Sequence, residues 1–152
     1  MDRIGIDLGG TKIEAILLSS ANKVVERVRT PTNQQDGYQA IVERIIDLTK
    51  KVKSKSKQEC SIGICTPGAL DMETGILKNS NTACLIGKPI KSDLENALNC
   101  PIAIDNDANC FAMASTIATS LDKNLIFSTF KTRDPGLFTE LFTIPEIASV
   151  AP

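Results

Sequence analysis

Apolar residues recur at two different periods along this chain, and the switches between them outline its expected elements. A β-rich run, Ile4-Gly5-Ile6-Asp7-Leu8, comes first; Lys12 to Ile16 then alternates polar with apolar, and Val24 to Thr30 alternates again beyond the turn-like Ser20-Ala21-Asn22-Lys23. A period of two marks strands, so three strands are predicted in succession. The period then lengthens. Tyr38, Ile41, Val42, Ile45, Leu48, Thr49 and Val52 fall on one face at helical spacing. Asp36-Gly37-Tyr38-Gln39 predicts the start of that helix, with Asp36 capping and Gln39 reaching back as in a capping box. Lysines 50, 51, 53, 55 and 57 collect at and beyond its end, where cations suit the negative end of the helix dipole. With no aromatic residues interleaved, they describe a solvated helix end rather than a nucleic-acid patch.

Cys60 to Cys65 is a short apolar run expected to be a buried strand, ended by Thr66-Pro67-Gly68. Asp71-Met72-Glu73-Thr74-Gly75 predicts a surface turn. Ser92-Asp93-Leu94-Glu95 predicts a second capping box opening a short helix to about Leu98, and Pro101-Ile102-Ala103-Ile104 another buried strand. That strand delivers Asp105-Asn106-Asp107-Ala108-Asn109 at its carboxyl end, followed by a helical run through Phe111, Ala112 and Ser115. In open α/β sheets ligands sit outside the carboxyl ends of the strands, so this cluster and the Thr66-Pro67-Gly68 turn are expected on one edge. Further on, Asp134-Pro135-Gly136 is a turn, and Leu137 to Pro152 is apolar with little period.

Composition narrows the chemistry. The 152 residues suffice for one domain, and a net charge of −1 gives no general attraction to nucleic acid or anionic membrane. No apolar stretch approaches the roughly 20 residues of a membrane span, and no signal peptide is expected, because Asp2 and Arg3 lead straight into a strand. Cys60, Cys65, Cys84, Cys100 and Cys110 are odd in number and form no C-x-x-C pair, which fits reduced thiols of a cytoplasmic protein and offers no zinc site. Histidine is absent, which removes the commonest general base and leaves acid–base work to carboxylates.

The loop after the first strand has the make-up of a triphosphate-handling loop. Gly9 and Gly10 let the backbone adopt φ/ψ values closed to other residues, so that N–H groups can face phosphate oxygens. Asp7 can hold a hydrated Mg²⁺, and Thr11 and Lys12 can donate to phosphoryl oxygens. The spacing matches neither the P-loop nor the dinucleotide G-x-G-x-x-G, and the strand that follows shows the glycines joining strands rather than opening a helix. A ligand-free glycine hairpin is the alternative. For Asp105 and Asp107, likewise, capping of the following helix stands beside catalysis.

With Asp7-Leu8-Gly9-Gly10-Thr11-Lys12, Thr66-Pro67-Gly68, Asn81-Thr82 leading into Gly87-Lys88-Pro89, and Asp105-Asn106-Asp107-Ala108-Asn109 in this order, the chain resembles the ROK family (repressor, open reading frame, kinase). It looks most like the N-terminal lobe of bacterial N-acetylglucosamine kinases, fructokinases and glucokinases, from about Arg3 to about Ser115. The resemblance implies an α/β, ribonuclease-H-like lobe of the actin, Hsp70 and hexokinase type, a mixed sheet with flanking helices whose second lobe is missing here. It implies a lobe over residues 1–118 and a divergent segment over 119–152. By the same resemblance Gly9, Gly10, Thr11 and Lys12 bind the phosphates of ATP and Asp7 holds Mg²⁺ through water. Gly68, Asn81, Asn106 and Asp107 hold the sugar, and Asp107 takes the proton from the attacking hydroxyl, while Asp105 is structural.

The implied activity is ATP-dependent phosphorylation of a hexose or N-acetylhexosamine, incomplete in this chain alone. The family's pattern continues into a second lobe with another phosphate loop, a sugar-contacting glutamate and histidine, an adenosine site and often a zinc motif, none of which is in this sequence. Non-catalytic sugar-binding or regulatory members and an inactive truncated lobe are the alternatives. DNA binding through the repressors' N-terminal helix-turn-helix is not expected, because the first strand starts near Met1. Apolar surface left by the absent lobe points to a homodimer or other self-association.

Overall fold

The computed structural model describes residues 1–71, 74–107 and 109–110. Strands β1 (Asp2–Leu8), β2 (Lys12–Leu18) and β3 (Val24–Pro31) form an antiparallel meander. Helix α1 (Gly37–Lys53) then crosses to β4 (Cys60–Thr66), which pairs parallel to β1. A small hairpin of β5 (Ala69–Leu70) and β6 (Leu77–Lys78) follows, then α2 (Ile90–Leu98) and β7 (Ile102–Asn106), which pairs parallel to β4. The main sheet has the order β3-β2-β1-β4-β7. This mixed sheet with flanking helices is the expected lobe architecture.

Parallel pairing of β1 with β4 demands a crossover, and the amphipathic α1 supplies it. Ile4, Ile6 and Leu8 of β1 join Ile62 and Ile64 of β4 on one sheet face, packed with Ile41, Ile45 and Val52 of α1 and Leu94 of α2, all essentially sealed from solvent. The odd positions Gly5 and Asp7 therefore belong to the other face. Within α1, buried Thr49 donates its hydroxyl to the Ile45 carbonyl at 2.7 Å, which satisfies a polar group on the apolar stripe.

Both expected capping boxes are corrected. Asp36 does precede α1, but it has helical φ/ψ and makes no side-chain cap bond. Its carboxylate pairs with Arg44 instead, and Gln39 contacts Glu43. In α2, Ser92 lies inside the first turn, because the helix starts at Ile90 after Pro89. Ser92 Oγ donates to the Pro89 carbonyl at 3.0 Å, while Glu95 accepts the N–H of Ile102 at 2.9 Å and so fastens α2 to the start of β7. The β7 strand is also less buried than expected. Ile102 is sealed, but Ala103 and Ile104 are half-buried at the edge of the described sheet.

The turn after Asp71 forms as expected where it is described: the Asp71 carboxylate accepts both the N–H and the hydroxyl of Thr74 at 2.9 Å. The expected helical run through Phe111, Ala112 and Ser115, the Asp134-Pro135-Gly136 turn and the segment 119–152 lie outside the described residues, as does Ala108. No helix among the described residues is long and apolar enough to cross a membrane.

Two substitutions check the helix assignments. Ile45→Ala should cost about 2–5 kcal/mol in urea unfolding followed by circular dichroism, since it empties a sealed core position. Gln39→Ala should change stability by less than about 0.5 kcal/mol, whereas a working capping box would make it cost about 1 kcal/mol.

Candidate functional site

The sheet's parallel core decides where chemistry can collect. Asp7 stands in register with Cys65, and Cys65 with Asp105, so the carboxyl ends of β1, β4 and β7 form one row. At one strand spacing per step, the row is about 10 Å long. The hairpin after β1, the turn after β4 and the Asp107 segment after β7 consequently leave the same edge, the edge at which open α/β sheets bind ligands.

The hairpin at residues 9–11 is braced from one side. Its turn is closed by the Gly9 N–H donating to the Lys12 carbonyl at 2.9 Å. The carbonyl of Gly9 accepts from Thr32 Oγ1 at 2.6 Å, that of Gly10 from the Gln34 amide, and that of Thr11 from the Thr32 N–H at 3.0 Å. Arg44 Nη1 anchors Thr32 in turn, donating to its carbonyl at 2.9 Å. All three hairpin acceptors are thus engaged. The N–H groups of Gly10 and Thr11 take part in none of the hydrogen bonds of the described residues, and Lys12 takes part in none of their ion pairs. A loop with its acceptors satisfied and its donors available suits an anion, so these residues fit a phosphate chain.

The reason for the glycines differs from the expected one. Neither Gly9 nor Gly10 has a positive φ. Gly9 is required by close approach, because a Cβ there would stand 2.9 Å from the Lys12 carbonyl oxygen inside the turn.

Asp7 is half-buried beneath this hairpin. No group of three or more His, Cys, Asp or Glu side chains that could hold a metal occurs among the described residues. A carboxylate at the position of Asp7 can hold water on a magnesium ion carried by phosphate oxygens. Beside Asp7 in register, the buried Glu14 carboxylate is bonded by Arg27 and by Arg29, whose Nε lies 2.8 Å away. Its charge is offset by two cations from β3, so it adds no net repulsion for an anionic ligand.

Gly68 sets the opposite wall. Its φ is +147°, and a Cβ there would meet the Lys78 carbonyl oxygen at 2.7 Å and Ser80 Cα at 3.0 Å. The backbone of 78–80 is thereby pressed against the turn after β4, and exposed Asn81 follows directly in the chain. Thr66 is in register with Asn106, so β7 is the other neighbour of this turn. Buried Thr82 lies near the hairpin, its Oγ1 being 3.9 Å from the point where a Gly10 Cβ would stand.

At the end of β7 the capping residue is Asn106, which is neither of the two aspartates considered from the sequence. Its Oδ1 accepts the N–H of Asn109 at 2.8 Å, and Asp107, Asn109 and Cys110 are helical. Asp105 accepts the Asn106 N–H at 2.7 Å and the Asn109 amide at 2.9 Å, a local structural role. Asp107 is exposed in the first helical turn. Near Asp7 and Asp107 lies the Cys65 thiol, held protonated by its hydrogen bond to Cys110, by burial, and by the negative charges of Asp7 and Asp107. The strand register that lines up Asp7, Cys65 and Asp105 sets Asp107, two residues beyond Asp105, at the end of the row that Asp7 begins.

All the expected site residues therefore gather at one edge: Asp7 and Gly9 to Lys12 on one side, Gly68 and Asn81 on the other, Asn106 and Asp107 beside both. Sequence reasoning missed Thr32, Gln34 and Arg44, which brace the hairpin. Their signal is the β2–β3 register, which pairs Lys12 with Pro31 and so sets residues 32–34 beside residues 9–11.

The ROK family's sequence model matches residues 3–132. The chain is 39% identical over 113 residues to N-acetyl-D-glucosamine kinase of Vibrio atlanticus, covering 72% of this chain and 36% of that protein. The fold is similar to that of a ROK hexokinase from Thermus thermophilus, with a TM-score of 0.65 and 31% identity over 76% of this chain and 38% of the other. A ROK glucokinase from Streptomyces griseus, solved with glucose and AMPPNP, shares the fold at a TM-score of 0.65 and 22% identity, over 76% of this chain and 36% of the other. The chain thus spans little more than a third of the length of these proteins.

Two measurements check this geometry. Gly68→Ala should destabilise the fold by about 1–3 kcal/mol in urea unfolding, and a change below about 0.5 kcal/mol would contradict the close approach to Lys78 and Ser80. In a native-state iodoacetamide time course read by mass spectrometry, Cys65 and Cys110 should be modified after the partly exposed Cys60, Cys84 and Cys100. Early labelling of Cys65 would contradict its protonated, sealed state.

Proposed function

The chain belongs to the ROK family, and on that premise we propose that it forms the phosphate-gripping and sugar-gripping wall of an ATP-dependent kinase for a hexose or N-acetylhexosamine. The observation that carries this reading is the convergence of a donor-rich hairpin and the Asp107 segment on one sheet edge. The named activities of similar proteins, an N-acetylglucosamine kinase, a hexokinase and a glucokinase, support the substrate class.

Phosphoryl transfer passes through a loose transition state, so the protein's tasks are alignment, late proton acceptance and charge stabilisation. ATP with Mg²⁺ supplies the transferable phosphoryl group and offsets its charge. The amides of Gly10 and Thr11, the Thr11 hydroxyl and Lys12 hold phosphate oxygens, and Asp7 holds water on the metal. Asn81 and the amide of Asn106 orient sugar hydroxyls, with Gly68 leaving room for the ring. Asn106 Oδ1 already caps the helix, so its NH₂ group is the donor available to the sugar. Asp107, exposed at the first helical turn, accepts the proton of the attacking hydroxyl. Residues 1–118 constitute this wall, and exposed Val24 and Val25 on the edge strand β3 offer a surface for self-association.

A second reading is sugar binding without turnover, since orientation of sugar hydroxyls by Gly68, Asn81 and Asn106 does not itself require phosphoryl transfer. Calorimetry with glucose and N-acetylglucosamine, together with ADP release from Mg·ATP, separates the two. A kinase gives sugar-dependent ADP release that Asp107→Asn lowers by about 10²–10⁴-fold while sugar affinity persists. Sugar binding with no ADP release assigns the chain to the second reading. Failure to bind either sugar or nucleotide contradicts both.

A further inference from the structure

Thr82 is fully buried, yet its hydroxyl has no hydrogen-bond partner among the described residues. Its main chain is spent: the N–H donates to Ser80 Oγ at 3.1 Å and the carbonyl accepts from the Leu85 N–H at 3.0 Å. An unpartnered buried hydroxyl lowers stability, and a valine of the same shape would avoid that cost. The position explains what the hydroxyl faces. The point where a Gly10 Cβ would stand is 3.9 Å from Thr82 Oγ1 and 3.0 Å from Gln34 Nε2, and Gln34 already donates to the Gly10 carbonyl. That carbonyl has a second lone pair. Immediately before Thr82, Asn81 is exposed on the carbohydrate side of the same loop. One dipeptide therefore offers a side chain outward to the crevice and a hydroxyl inward to the phosphate hairpin.

We infer that Thr82 is a positioning residue that couples the two halves of the crevice, its hydroxyl donating to the Gly10 carbonyl when the hairpin closes on phosphate. The inference rests on the kinase-lobe reading above. Closing that bond fixes the Asn81 loop against the hairpin, so a seated nucleotide prepares the sugar side. By linkage, a seated sugar prepares the hairpin to the same extent. Without that bond the hydroxyl has no partner among the described residues.

The test is calorimetry on the 152-residue chain with Mg·AMPPNP, titrated with and without saturating glucose or N-acetylglucosamine. In the parent, sugar should tighten the nucleotide by about fivefold or more, the lower end of common coupling strengths. Thr82→Val should reduce that effect to less than about twofold while each ligand alone still binds, and Thr82→Ser should restore it. The ligand-free melting temperature of Thr82→Val should equal or exceed the parent's, because no existing bond is removed. A parent that binds neither probe removes the kinase-lobe reading and this inference with it. A parent that binds both without mutual effect, a Thr82→Val protein with undiminished coupling, or one with a lowered ligand-free melting temperature overturns this inference alone.

Discussion

The parallel register of β1, β4 and β7 is the constraint on which the rest depends. Asp7, Cys65 and Asp105 share one row because the three strands run in the same direction with no slip between them. A shift of one residue in either ladder would turn Asp7 or Asp105 to the opposite face and bury a carboxylate against α1. The apolar stripe of Ile4, Ile6 and Leu8 opposite Ile62 and Ile64 prevents that slip, since the same movement would expose the core. Core packing and site geometry are thus enforced by one alternation of side chains.

Around that row the chain sorts its hydrogen-bonding groups by sign. Residues after β3 take up every carbonyl of the hairpin, leaving N–H groups and a lysine toward the edge. Two arginines answer the buried Glu14, and the Asn106 cap together with Asp105 secures the start of the helix that carries Asp107. The buried thiols of Cys65 and Cys110 lie near Asp7 and Asp107. Cys65 and Cys110 bond each other there, which fills the space without adding charge where Asp7 and Asp107 already concentrate it. An oxyanion ligand is the kind of group the hairpin accommodates, because its carbonyls are engaged while its N–H groups and Lys12 are left available.

Much of this was legible in the sequence. The two-residue period gave β1 to β3, the helical period gave α1 down to its buried Thr49, and apolar runs gave β4 and β7. The motifs fell on the expected edge because strand direction follows from alternation of strands and helices. Local polar chemistry was less readable. Asp36 and Ser92 sit at plausible capping positions, yet Asp36 pairs with Arg44 two turns further along and Ser92 falls inside a helix that already starts at Ile90. The two-residue strands β5 and β6 are too short to show a period. Thr32, Gln34 and Thr82 carry no motif at all, and their roles exist only once the sheet register brings them to Gly9 and Gly10. The Gly9 requirement itself was foreseen for the wrong reason, as a matter of φ instead of room beside Lys12.

The central claim is that one crevice at this edge receives both ligands. Amide chemical-shift mapping of the isotope-labelled chain tests it most directly, with AMPPNP and glucose added separately. The account predicts that the nucleotide perturbs the amides of residues 9–12 and the sugar those of Gly68, Asn81, Asn106 and Asp107. Perturbations clustered instead on the opposite end of the sheet, near the Ser20–Lys23 turn or the start of β4, would contradict it.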